Sequence, residues 1–191
     1  MTVKVSKILA ELRSDHRNMA VLLRLMEHEI QQVEDGGEPD FELLHDIMQY
    51  MTVYADAIHH PREDLVYAEM RARGGGFADG LDGVEPDHEE IAALSIRLRN
   101  DFDAVISGTA VQREQVIRDA GAYIRRLRDH MSWEEGDLFK RADRLCVEDA
   151  SVSVDVSQLS ASDPVFGDEA VSPFVKLFER VRFEAGAPAE S

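Results

Sequence analysis

The sequence predicts an all-α chain, an antiparallel up-down-up-down four-helix bundle with a short C-terminal extension. Four long stretches carry apolar residues at a 3.6-residue period. Short breaks separate the first stretch from the second and the third from the fourth, as helical hairpins require. After Glu148 the composition turns to Ser, Val and Asp. At 191 residues the chain has room for one sizeable core and not comfortably for two. The expected division is a bundle over residues 1–147 and an extension over 148–191.

The first helix is expected from about Ser6 to Glu34, with Ile8, Leu12, Met19, Leu22, Leu23, Met26, Ile30 and Val33 on one stripe. DGGEP (35–39) ends it. Asp40 caps the second helix, whose stripe holds Leu44, Met48, Met51, Ala55, Ile58, Val66 and Met70. GGG (74–76) and the Gly/Pro/Asp-rich run to Pro86 make a long connection. Asp87 with Glu90 reads as a capping box opening the third helix, which carries Ile91, Leu94, Ser95, Leu98, Phe102 and Ile106. Ser107-Gly-Thr109 breaks it. The fourth runs from about Ala110 to Cys146 over Val116, Ala120, Tyr123, Leu127, Leu138 and Leu145. EDASVSVDVSQLSASDP (148–164) reads as a partly extended linker. VSPFVKLFERV (171–181) comes next as a short helix docking Phe174, Leu177, Phe178 and Val181, and EAGAPAES (184–191) as a disordered tail.

Lys and Arg number 21 against 38 Asp and Glu, a net charge of −17. Such a surface repels phosphate backbones and anionic lipid, so neither nucleic acid nor membrane is an expected partner. Cys146 is the only cysteine, which excludes an internal disulfide and a thiolate metal cluster. MTVKVSKILAELRSD has no apolar core of a signal peptide, and no run approaches a membrane span. The expected compartment is a reducing cytoplasm.

Seven histidines interrupt these helices, and direction sorts them. At about 100° per residue, His16 falls within the apolar stripe of the first helix, while His28 lies on its polar face. His59 and Glu63 are one turn apart on the second stripe, and His60 is rotated to flank the same pocket. His88 shares its face with Ile91 and Ser95, and His130 with Glu134, Leu127 and Leu138. His45 lies well along the axis from His59. Depth agrees with direction. His16 stands 21 residues before Gly37 and His59 stands 22 after it, while His88 and His130 each stand 21 from Thr109. Each hairpin therefore levels its own histidines. The assumption that the two levels coincide puts His16, His59, His60, Glu63, His88, His130 and Glu134 in one layer.

Burying ionised carboxylates without a counter-charge costs several kcal/mol each. Neutral imidazoles supply none, so the layer calls for bound cations. Imidazole and carboxylate without thiolate suit iron, manganese, zinc or copper. Two octahedral ions offer roughly twelve positions. Five histidines, two bridging glutamates and a solvent-derived bridge leave about one position open for a small ligand. Pro61 either frees the Ala57 carbonyl and kinks the helix, turning His59 and His60 inward, or merely bends a long helix around the core.

These residues resemble the hemerythrin-like, HHE cation-binding proteins. The family's H … HxxxE … H … HxxxE pattern is matched by His16, His59-His-Pro-Arg-Glu63, His88 and His130-Met-Ser-Trp-Glu134, and the words DHRNM, HHPREDLVY, DHEEI and DHMSWEEGDLF are also similar. The resemblance spans about residues 5–146. It implies a four-helix bundle around two iron ions, bridged by Glu63, Glu134 and a solvent-derived oxygen. The chain departs from the invertebrate oxygen carriers in having Ala92 where they have a second third-helix histidine, and HxxxE where they end in HxxxxD. Either His60 replaces the missing imidazole or the second metal site is weaker or absent. Reversible oxygen carriage therefore does not carry over, whereas di-iron binding does.

The implied function is binding or reduction of a small ligand (oxygen, peroxide or nitric oxide) with a redox partner, or else a metal-dependent sensor, reservoir or iron donor without turnover. No catalytic residue is assigned. His28 and His45 read as surface or helix-end residues, Trp133 and the methionines as packing, and Tyr67 and Tyr123 as packing ahead of the alternative that they line the pocket or donate to a bound ligand.

Overall fold

A computed structural model describes residues 1–159, 161–167 and 172–184. Ser160 and residues 168–171 lie outside them, as does the tail expected to be disordered beyond Glu184. The described chain is mostly helical. Helix α1, Val5–Asp35, buries Ile8, Leu12, Met19, Leu22, Leu23, Met26, Ile30 and Val33. It stops at Gly36, whose φ of 74° is readily adopted only without a Cβ. The Asp40 side chain then accepts the Leu43 N–H at 2.9 Å and starts the next helix. Glu29 of α1 takes the Asp40 N–H at 2.8 Å and closes the hairpin.

The second rod is made of α2 (Phe41–Tyr50), a π-helical segment (Met51–His59) and α3 (His60–Arg73). Two 3₁₀ turns, Gly75–Phe77 and Leu81–Gly83, lead to α4, Val84–Ile106. The expected capping box does not form. Helix α4 begins at Val84, three residues before Asp87, with no side-chain cap, and Asp87 is spent on a histidine instead. The fourth rod is α5 (Arg113–Trp133), a second π-helical segment (Glu134–Leu138) and α6 (Phe139–Glu148).

Side-chain pairs show how neighbouring rods run. Going down α1, Glu29, Asp15 and Glu11 meet Asp40, Tyr54 and Arg62 in rising order, an antiparallel pairing. Ser95, Glu90 and His88 meet Tyr123, Arg126 and His130 in the same sense.

Strand β1 (Thr2–Lys4) pairs antiparallel with β2 (Ser153–Asp155), Val3 opposite Val154. Helix α7 spans Val175–Glu184. Phe174, Leu177 and Val181 are buried in the main core, while Phe178 is only partly covered. The apolar interior falls into two clusters. One joins Met19–Val33 of α1 to α2, α4, α5 and the extension, and the other joins Val5–Leu12 to α3, α6 and the ribbon. Between them lies a layer of buried polar side chains.

Candidate metal centre

That layer contains His16, His59, His60, Glu63, His88, His130 and Glu134, none more than 6% exposed. All seven expected residues thus meet at one level. His28 is exposed, and half-buried His45 pairs with Asp46, away from the layer.

The two π-helical segments explain how adjacent residues reach inward. In the second rod the His60 N–H bonds the Ala55 carbonyl, five residues back, and in the fourth the Phe139 N–H bonds that of Glu134. A turn widened by one residue rotates every later side chain on the rod relative to those before it. His59 and His60 therefore both face the interior, with ring centroids 5.6 Å apart. Pro61 is the second residue of α3, just after the widened turn, and the rod stays helical on both sides of it.

The ligating atoms converge. His16 Nε2 lies 3.3 Å from Glu63 Oε1 and 3.4 Å from Glu134 Oε2. His59 Nε2 is 3.1 Å from Glu63 Oε1. Across the layer, His88 Nε2 is 3.5 Å from Glu63 Oε2, and His130 Nε2 is 3.2 Å from Glu134 Oε2. The His60 ring stacks on His88 at 4.4 Å. Two groups emerge, His16–His59–Glu63 and His60–Glu63–His88–His130, the donor atoms of each lying within 4.8 Å of one another. Glu63 belongs to both, and Glu134 touches a histidine of each.

Close as they are, many of these atoms have no aligned hydrogen bond. His16 Nε2, His59 Nε2, both nitrogens of His60, both oxygens of Glu63 and Glu134 Oε2 are buried without one. Orphaned buried polar atoms are costly. Here they are imidazole nitrogens and carboxylate oxygens of one buried layer, which is the donor chemistry of a borderline or hard cation. The residues therefore fit the metal that the resemblance implies.

The electrostatics of the layer bring in protons as well as cations. Burial pushes the His16 imidazole down, but Glu134 and Glu63 beside it outweigh burial and carry its pKa up to about 10. Burial likewise opposes charge on His88, yet Asp64, Glu134 and Glu63 raise it to about 10. His59 and His130 also shift upward against burial, whereas burial lowers His60. Burial and Glu134 both act to raise Glu63, but His59 and His16 bring it to about 2. Glu134 is held well below the usual carboxylate range, burial being overcome by His130, His16 and His88. Without metal, protons on the imidazoles supply the counter-charge. A cation bound in the layer would compete with those protons.

The sequence reading missed a second set of residues. Asp15 Oδ2 lies 3.1 Å from His59 Nδ1, Asp64 Oδ1 3.1 Å from His88 Nδ1, and Asp87 Oδ2 2.6 Å from His130 Nδ1. Glu135 Oε1 is 3.2 Å from His16 Nδ1. Asp56 is 3.4 Å from His60 Nδ1 without hydrogen-bond alignment. Tyr67, read as packing, is buried and also donates to Glu134 Oε1 at 2.7 Å. The signal was present in the Asp-His words at 15–16 and 87–88, but each aspartate serves a histidine of the neighbouring rod.

Helical rods that bury a histidine–carboxylate layer define a class, the helical cation-binding proteins. The family model described as Hemerythrin HHE cation binding domain matches residues 7–142 of the 191, and the chain belongs to that family. No curated protein and no solved structure gives a significant match. Among the described residues, no helix is long and apolar enough to cross a membrane.

Proposed function

We propose that this chain is a non-haem di-iron protein that binds or reduces a small ligand such as oxygen, peroxide or nitric oxide. One observation carries the reading: orphaned nitrogens and oxygens from the first, second and fourth rods lie in one buried layer, with His88 of the third among them. In this proposal the rods form an up-down-up-down bundle, residues 1–147 being the cation-binding unit and 148–191 a C-terminal extension. His16 and His59 would hold one ion and His60, His88 and His130 the other, with Glu63 and Glu134 available to both. His60 thereby stands in for the imidazole that Ala92 does not provide, which its stacking on His88 supports.

Iron held there supplies Lewis acidity and exchangeable electrons to a ligand. The chain's own part is positional. Glu63 and Glu134 present oxygens toward both groups, Tyr67 fixes the rotation of Glu134, and burial keeps bulk water from the donors. The donor count leaves about one position for a small molecule. A redox partner and a cytoplasmic setting complete the reading.

The near-complete burial of all seven donors favours a second reading, a sensor, reservoir or iron donor without turnover. Elemental analysis and an optical spectrum of the isolated protein test the metal. Anaerobic reduction followed by rapid mixing with peroxide, oxygen or nitric oxide separates the functions. Multiple fast turnovers support catalysis, and a persistent charge-transfer band without turnover supports binding. Protein that takes up no iron would sink both.

A further inference from the structure

We infer that Asp15, Asp64, Asp87 and Glu135 form a closed ring of positioning carboxylates that holds the iron of this centre toward its trivalent state. The inference rests on the di-iron reading and adds control of oxidation level to it.

The ring is read from the hydrogen bonds. The first rod supplies Asp15 to His59 of the second, and the second supplies Asp64 to His88 of the third. The third supplies Asp87 to His130 of the fourth, and the fourth returns Glu135 to His16 of the first. Every rod gives one carboxylate and receives one. Each contact is made at Nδ1, so a proton held there would leave Nε2 as the nitrogen free to bind a metal. A carboxylate behind an imidazole also makes it a stronger electron donor.

Charge points the same way. With Glu63, Glu134 and the nearby Asp56, the ring brings seven carboxylates to the layer. The cations set against them are few and lie outward. Arg126 pairs with Asp87, and Arg13 lies 3.7 Å from Glu135. Among the described residues, no lysine or arginine pairs with Asp15, which instead accepts from Tyr54 Oη at 3.3 Å. A shell this negative matches two trivalent ions better than two divalent ones, and an added electron works against it. Asp15, buried and facing no lysine or arginine among the described residues, is the strongest lever, and Asp87, shared with Arg126, is a weaker one.

The test uses the full chain loaded with iron. Metal content is measured first, then the midpoint potential by anaerobic spectroelectrochemistry at fixed pH and salt. Asp15→Asn keeps the shape and removes the charge. It is expected to favour the reduced form about tenfold, the equivalent of ~59 mV for a one-electron couple. Asp87→Asn shifts the potential less, and Asp15→Glu restores it. Should Asp15→Asn fail to fold, Glu135→Gln is read in its place, because Glu135 is 41% exposed and lies outside the core. Iron-loaded Asp15→Asn and Glu135→Gln with wild-type potentials would overturn the inference alone. Wild-type protein without iron overturns the di-iron reading itself, and shows in the metal analysis before any potential is taken.

Discussion

Glu63 touches histidines of both donor groups, and His130 faces both Glu134 and His88, so neither side chain can be removed without opening the layer. Glu63→Ala and His130→Ala are each expected to lose at least half the bound metal by elemental analysis. Exposed His28→Ala is expected to lose little, and a large loss there contradicts the assignment of faces. Tyr67 is a subtler case. Its hydroxyl donates at 2.7 Å to a carboxylate inside the core. Hydrogen bonds to charged groups contribute about 1.5–3 kcal/mol. Tyr67→Phe should therefore lower unfolding free energy by roughly that amount while the ring still fills its space, measured by urea titration of metal-free protein. The donors were legible in the sequence because direction around a helix and distance from a turn are both countable. The outer carboxylates were not. Asp15 sits one residue before His16, about 100° round the helix, where an aspartate reads as solvated. Only the adjacent rod turns it into the partner of His59.

At the scale of elements, periodicity located the four rods but not their local register. The π-helical turns at Met51–His59 and Glu134–Leu138 depend on which carbonyl each N–H selects, and the apolar stripe runs through them without a break. HHP hinted at the first; the second had no comparable marker. The start of α4 was misplaced because Asp87 and Glu90 satisfy a capping pattern while being used across the helix pair. The ribbon of Thr2–Lys4 with Ser153–Asp155 was invisible, since three residues a side are too few to show alternation. The connection between α3 and α4 has an anchor of its own. Buried Arg141 of α6 donates to the carbonyls of Gly76, Phe77 and Asp79, the last at 2.6 Å, and to Asp137 at 2.8 Å. Arg141→Met keeps much of the stem and removes every donor. It is expected to cost about 2–4 kcal/mol and to raise amide exchange across residues 74–83 more than in α1. Uniform exchange throughout the chain would argue against a local anchor.

For the molecule as a whole, the sequence left one relation open, namely whether the two hairpins set their histidines at the same height. The apolar clusters on either side of the layer answer it, because each draws on α1, on the second rod and on the fourth. Sliding one hairpin past the other would place His16, His59, His88 or His130 against apolar neighbours on both sides, which burial of polar atoms forbids. The same seclusion makes metal binding a proton exchange. In the metal-free protein the carboxylates raise His16 and His88 to about 10, so both carry protons at neutral pH. That contribution to stability is fully present below the ordinary histidine value of 6.5 and fades as pH rises through about 10. The depressed Glu63 acts in the opposite sense, its contribution present above 4.5 and lost as pH falls through about 2. A metal ion needs the bare nitrogen, so it must expel those protons. Loading at neutral pH should release at least one proton per ion, and apparent affinity should climb with pH toward about 10. Titration calorimetry of a divalent metal in two buffers of different ionisation enthalpy measures the release directly. Equal heats in both buffers would mean that the layer was already unprotonated and that its carboxylates are neutralised in some other way.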